Sequence, residues 1–203
     1  MKKVHWIFSG LSLVIILLSL NRLTPFTADY LQPFEFLRWL DFNAMIPIPL
    51  LSVVLYFLLK REVVYDSAFR KSLTYTVLSA LFIVGVYFFG AGSGTHEVTN
   101  YLNSRFCLGE ATSSLCNIIS YNDDIFSHYV YYIGFLLLNV SLILMEFSMP
   151  RKTDMRRIDF ALICVNALFI AFGIFANLAF EEIGFDLYFF AVVMLLTHWI
   201  LIW

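Results

Sequence analysis

The chain alternates between long apolar stretches and short polar segments. Six apolar stretches can be read, at residues 6–20, 44–59, 73–89, 129–147, 158–178 and 185–203. Each approaches the ~20 residues that a helix needs to cross the hydrocarbon core of a bilayer. Their apolar residues are continuous and do not alternate with polar ones as in a barrel strand, which favours helices. The pattern predicts an all-α polytopic membrane protein, a single domain over residues 1–203 built as a bundle of six transmembrane helices.

The composition agrees with this prediction. Of the 203 residues, 61% are hydrophobic and only 14% are charged, and the mean hydropathy is +0.81. Soluble domains have about 45–50% apolar and about 25% charged residues. We therefore expect an integral, multi-pass protein of a bacterial inner membrane or an equivalent membrane, with the lipid bilayer as its first partner. The net charge of -2 indicates no nucleic-acid surface.

The basic residues are unevenly distributed among the connecting segments. Ten of the 13 lie at the N-terminus and in the loops after the second and fourth spans: Lys2, Lys3, Lys60, Arg61, Arg70, Lys71, Arg151, Lys152, Arg156 and Arg157. These places share one side of a six-span topology, and cytoplasmic loops carry the excess of Lys and Arg. Both termini are therefore predicted to be cytoplasmic, and the loop of residues 90–128 non-cytoplasmic. Residues 21–43, on that same outer side, fit either a short amphipathic helix along the interface or an ordinary connecting loop.

The polar segment of residues 90–128 contains two of the three cysteines. Cys107 and Cys116 are nine positions apart, and an outside location favours a disulfide between them. A redox-active pair is the alternative, although such pairs are usually spaced C-x-x-C. Cys164 lies in the fifth apolar stretch, where a small buried apolar residue is expected.

The same segment contains two polar pairs at helical spacing. His96 and Asn100 are four positions apart at the outer end of the third span, and Asp124 and His128 are four apart at the start of the fourth. Positions i and i+4 share a face of a helix, and helices joined by one connection tend to be neighbours. We therefore expect the two pairs to face each other at one membrane depth.

Three interpretations of this cluster are open. In the first, His96, Asp124 and His128 bind zinc or iron, with Glu97 or Asp123 as the general base and Asn100 in support. In the second, the cluster takes up protons or ions. In the third, its hydrogen bonds only hold two helices together.

A second acidic group opens the sixth span. Glu181 and Glu182 lie on the same predicted outer side, and they fit either a supporting part of the metal site or a solvated turn.

The set Ser93, His96 and Asp124 resembles that of membrane hydrolases of the alkaline ceramidase and adiponectin receptor type. That resemblance implies zinc and cleavage of a lipid amide. This chain departs from their pattern, because Ser93 and His96 are three positions apart rather than four and His198 has Ile202 four residues further on. The step from Asp124 to His128 is also similar to a motif of VanZ-like small membrane proteins. We assign the chain to neither group.

The function that these patterns favour is a membrane-embedded, metal-dependent enzyme, a hydrolase of a lipid-like substrate with its site in the outer leaflet. The alternatives are an accessory or structural subunit, as a homo-oligomer or within a larger membrane complex, and a transport protein for protons, ions or small solutes. A transporter needs a polar path from the cluster toward His198. A structural subunit needs an apolar face that fits a partner.

Overall fold

The computed structural model describes residues 2–108, 113–149, 156–181, 184 and 186–202. The described residues form helices and contain no strand, apart from a single bridge between Tyr30 and Arg38. The helices are α1 (Lys2–Leu23), α2 (Trp39–Met45), α3 (Pro47–Val63), α4 (Leu73–Phe106), α5 (Ser114–Tyr121), α6 (Ser127–Ser148), α7 (Arg157–Glu181) and α8 (Asp186–Ile202). The prediction of an all-helical fold is confirmed for this part of the chain.

Four helical stretches are long and apolar enough to cross a membrane, as expected of an integral membrane protein. They are Lys2–Leu23, Trp39–Val63, Leu73–Phe106 and Ser114–Ser148. Two further helices, α7 and α8, coincide with the fifth and sixth apolar stretches. The described apolar part of α8 is shorter, at Leu187–Ile200.

Most of the polar segment is helical and does not form a loop. Helix α4, which is 34 residues long, continues into this segment and ends at Phe106. The helical backbone resumes at Ser114. The described connection therefore lies close to Cys107 and Cys116, whose Cα atoms are 5.5 Å apart, a distance that suits a disulfide. The expectation of a 39-residue outside loop does not match this geometry, because the polar residues lie on helices packed against each other.

Helices α4 and α6 cross at very short range, and glycines make this possible. A Cβ at Gly92 would overlap the backbone of Tyr131, and a Cβ at Gly134 would overlap the backbone of Phe89. A Cβ at Gly85 would lie 3.0 Å from the backbone nitrogen of Leu138. Small residues allow helix backbones to approach closely in this way. The close crossing places the polar end of α4 directly beside the start of α6.

Polar contacts hold α1 against α7. His5 Nε2 lies 2.8 Å from Asp159 Oδ1, and the Ser12 hydroxyl donates to Asn166 Oδ1 at 2.8 Å. Both pairs are separated by 154 residues, so α1 and α7 run in the same direction. This parallel arrangement agrees with the alternation of a six-span topology.

The two ends of the bundle differ in charge. At one end Lys3 lies 3.5 Å from Glu62, which joins the start of α1 to the end of α3. There the Tyr65 hydroxyl also donates to the carbonyl of Met149 at the end of α6. The basic positions at the starts of α1, α4 and α7 and at the end of α3 therefore share this end. The residues His96, Glu97, Asp123 and His128 lie at the opposite end.

The connection between α1 and α2 folds over the outer part of α4. Arg105 Nη2 lies 2.7 Å from Glu35 Oε2, and the Tyr101 hydroxyl also donates to the Glu35 carbonyl. At the end of this connection Arg38 donates to both carboxylate oxygens of the fully buried Asp41, at 2.8 and 2.7 Å. The hydrogen bond to Asp41 raises the pKa of Arg38. Of the two interpretations of residues 21–43, the connecting loop fits best, since the only helix longer than one turn in it begins at Trp39.

Candidate functional site

The site is built around His96 on α4. Its Nδ1 lies 3.2 Å from Asp123 Oδ1, and its Nε2 lies 4.0 Å from Glu97 Oε1. The ring of His128 on α6 packs edge-on against the ring of His96, with centroids 4.8 Å apart and an interplanar angle of 83°. The predicted meeting of the two polar segments is therefore present in the structure.

The carboxylate beside His96 is Asp123, and not Asp124. Residues Asn122–Phe126 form one π-helical turn, in which the backbone N–H of Ser127 donates to the Asn122 carbonyl five residues back. This wider turn brings Asp123, five positions before His128, to the inner face, where only 4% of its surface is exposed. Asp124 is exposed. The i,i+4 argument assigned the wrong neighbour because it assumes a regular α-helix.

Polar groups of α4 contact the Asp123 carboxylate, and α5 supports one of them. Thr99 Oγ1 lies 3.5 Å from Asp123 Oδ1, and Asn103 Nδ2 lies 3.4 Å from Oδ2. The Ser120 hydroxyl donates to Asn103 Oδ1 at 3.3 Å. Asn100 is half-buried on the same helix, but the contacts to Asp123 come from its neighbours. A buried carboxylate needs such partners because its desolvation is costly.

Glu97 joins the site to α1. Its side chain is 4% exposed, and Oε1 lies 3.5 Å from Nη2 of Arg22, near the end of α1. Arg22 was not among the residues singled out from the sequence. Arg22 and Glu97 are 75 positions apart in sequence, so no local spacing of residues could have indicated that they are in contact. By contrast, Thr99 and Asn103 follow His96 at three and seven positions, a helical spacing that the sequence does contain.

A cavity of about 280 Å³ opens beside these residues. Its polar end is lined by Arg22, Ser93, His96, Glu97, Ser127 and His128. The rest of its wall is mainly apolar and comes from α1, α2, α3, α4, α6, α7 and α8. Ligand sites are commonly apolar cavities with a few convergent polar groups. The arrangement can therefore hold an amphipathic molecule with its polar part at His96.

Other predicted residues lie elsewhere or outside the described structure. Glu182 is not among the described residues, and of Glu181 only the helical backbone is described. His198 is exposed and bonds to the carbonyl of Met194 on its own helix at 2.9 Å, so it does not face the interior. The path toward His198 that a transporter would need is not supported by this orientation.

Among the described residues, no group of three or more His, Cys, Asp or Glu side chains has an arrangement that could hold a metal ion. His96 and His128 are nevertheless adjacent, and Glu97 and Asp123 flank His96 on its two nitrogens. No family model matches the chain, and no curated protein or solved structure matches it either. Function must therefore be inferred from the residues of the site.

Proposed function

We propose that the protein is a membrane-embedded enzyme that hydrolyses an amphipathic, lipid-like substrate. The observation that carries the proposal is the cavity, whose apolar walls lead to a polar end with two histidines and a buried carboxylate beside them. The apolar chain of the substrate would lie along the apolar walls of the cavity, and the bond to be cleaved would lie beside His96. This division suits a substrate drawn from the bilayer.

We further propose six transmembrane helices, with both termini in the cytoplasm and the site in the outer leaflet. Two observations support this topology. The basic positions share the end of the bundle opposite the site, and cytoplasmic segments are the basic ones. Helices α1 and α7 run parallel, as the first and fifth spans of such a topology must.

His96 is the proposed general base. Asp123 at Nδ1 holds the imidazole in one orientation, which leaves Nε2 directed toward Glu97, as in other carboxylate-oriented histidines. The 4.0 Å between Nε2 and Glu97 Oε1 allows one water molecule to contact both atoms. Nε2 takes a proton from this water, and the hydroxide adds to the carbonyl carbon of an ester or amide. His96 then returns the proton to the departing alcohol or amine, and an acid is the second product.

Zinc or iron remains part of the proposal, with a revised set of ligands. No three His, Cys, Asp or Glu side chains are arranged to hold a metal ion among the described residues, so the side chains would have to move to bind one. His96 and His128 would then hold it together with Glu97, in place of Asp124, and a set of two His and one Glu is known for catalytic zinc. Asp123 would then orient His96 from behind, as carboxylates do at zinc sites. The metal would lower the pKa of a bound water.

The test uses the purified protein in nanodiscs that contain a total lipid extract, followed by mass spectrometry of the lipids. The wild type should convert at least one lipid species to a free acid. Asp123→Asn should reduce the rate by 100-fold or more, by analogy with the roughly 10⁴-fold effect of the same change in a Ser-His-Asp triad. Asp124→Asn is the matched control and should keep most of the rate. Hydrolysis that is equally fast in the wild type and in both variants would refute the site.

Metal content separates the two forms of the mechanism. The wild type, purified without chelators, is analysed beside His128→Ala. About one zinc or iron per chain, lost in the variant, supports the metal-dependent form. A metal-free wild type that still hydrolyses lipid supports His96 acting alone.

An accessory subunit is the second candidate, and apolar exposure favours it. Helices α7 and α8 expose Leu168, Phe172, Phe175, Leu195 and Ile202, each by more than half of its surface. Lipid alone or a partner subunit in a larger complex could cover this face. The oligomeric state in nanodiscs, together with the absence of hydrolysis, would distinguish this role from the enzyme.

A further inference from the structure

We infer that the cavity takes a hydrocarbon chain of about a dozen carbon atoms attached to an uncharged polar head group. The inference deepens the proposed function and rests on it for the reaction, but not for binding. It follows from the length of the cavity lining and from the charges at its polar end.

The cavity is long. Along α1 its lining extends from Leu11 to Arg22, which is about 16 Å at 1.5 Å per residue. At single-bond spacing, a length of ~16 Å corresponds to roughly a dozen carbon atoms. The length of the lining therefore sets the length of the chain that we expect the cavity to take.

The side chains that line the cavity farthest from His96 along their helices can act as a floor. Leu11, Tyr56 and Phe135 line this end from three different helices. Tyr56 is held in place by Asn139, whose amide nitrogen donates to the phenol oxygen at 3.2 Å. A fixed floor limits how long a chain can be while its head group still reaches His96.

Charges at the polar end favour an uncharged head group. Arg22, the cation that lines the cavity, is already 3.5 Å from the carboxylate of Glu97. The second buried carboxylate, Asp123, is matched by His96. An anionic head group would have to compete with Glu97 for Arg22 and would lie close to both carboxylates. An alcohol, ester or amide head group can instead exchange hydrogen bonds with Ser93, Ser127 and the histidines.

The experiment measures ligand-dependent changes in Tm for the full chain in nanodiscs, since a ligand that binds the folded state raises Tm. The probes are monoacylglycerols of 8 to 18 carbons. Lauric acid serves as the charged comparison. We expect the largest rise in Tm near 12 carbons, with a smaller rise for lauric acid than for the monoacylglycerol of the same chain length. An equal or larger rise with lauric acid would overturn the uncharged head group.

Floor variants test the length limit. Leu11→Trp should shift the optimum to shorter chains by about three carbons, because the indole fills the end of the cavity, and Phe135→Ala should shift it to longer chains. Leu13→Trp is the matched control, since Leu13 lies on the same helix and is 50% exposed, and it should leave the optimum unchanged. Should Leu11→Trp fail to fold, Phe135→Ala alone decides the question.

An optimum that stays the same in both floor variants would overturn the inference. An optimum that moves as expected, in a protein that hydrolyses none of these compounds, would support the binding inference. That same result would count against the proposed hydrolysis. Failure of the binding inference and failure of the proposed enzyme function are therefore distinguishable.

Discussion

Replacing Gly134 by alanine should destabilise the protein, because the added methyl group has no room at the crossing of α4 and α6. The atoms that it would meet are the backbone N and Cα of Phe89 and the carbonyl carbon of Phe88. Backbone atoms cannot move aside as a flexible side chain can. Overpacking in a filled interior costs about 1–3 kcal/mol, and we expect the upper part of this range.

The matched control is Gly90→Ala on the neighbouring helix. Among the described residues, and apart from its own helix backbone and chain neighbours, no atom lies within 4 Å of a Cβ at Gly90, so alanine should fit there without strain. Alanine in a helix interior is more favourable than glycine by about 0.5–1 kcal/mol. The control should therefore be neutral or slightly stabilising.

Thermal unfolding followed by circular dichroism in nanodiscs measures both variants. About 1 kcal/mol shifts Tm by roughly 2–4 °C in a chain of this size. We expect Gly134→Ala to lower Tm by about 4–10 °C and Gly90→Ala to raise it by about 1–4 °C. Equal shifts in the two variants would refute the close crossing, and with it the geometry that brings His96 to Asp123.

Two further changes test the surroundings of the site. Asp123→Asn should lower the free energy of unfolding by about 1–3 kcal/mol, because the buried carboxylate loses its charge-assisted hydrogen bonds. Asp124→Asn should change the free energy of unfolding by no more than about 0.5 kcal/mol. Urea titration of both variants measures these changes, and a larger effect at the exposed Asp124 would contradict the prediction. Cys107→Ser should lower Tm through loss of a cross-link worth about 2–3 kcal/mol, and a reductant should reproduce the effect in the wild type but add nothing in the variant. Cys164→Ser is the cysteine control.

The hydrophobic pattern was sufficient to predict the helices, since each of the six apolar stretches coincides with a helix. It was not sufficient to predict where helix α4 ends. Glycine, serine and threonine between Gly90 and Thr95 have low helix propensity, and they indicate a bend when only local sequence is considered. Packing against α6 overrides this preference, because Gly92 is needed where Tyr131 approaches. The contact that decides the structure is nearly 40 residues away in sequence.

The sequence was a better guide to the position of the site than to the roles of the individual residues in it. His96 and His128 were expected to meet, and they do. Asp124 was placed beside them by regular helical spacing, but one extra residue in the π-helical turn shifts the inner position to Asp123. A single π turn rarely leaves a signal in sequence, although such turns are frequent at functional sites. Arg22 could not be found at all, because its contact with Glu97 depends on the arrangement of the whole bundle.

The cavity bears on whether the cluster has only a structural role. If the contact between His96 and Asp123 served only to hold α4 against α6, the glycine crossing and the hydrogen bonds would be enough. The space beside His96 would then be expected to be filled, since protein interiors are packed about as densely as organic crystals. The structure instead has a cavity of about 280 Å³ there, with mainly apolar walls and with His96, Glu97 and His128 at its polar end. Ligand sites are commonly built in this way, so the cavity favours a site that holds a molecule over one that merely joins two helices.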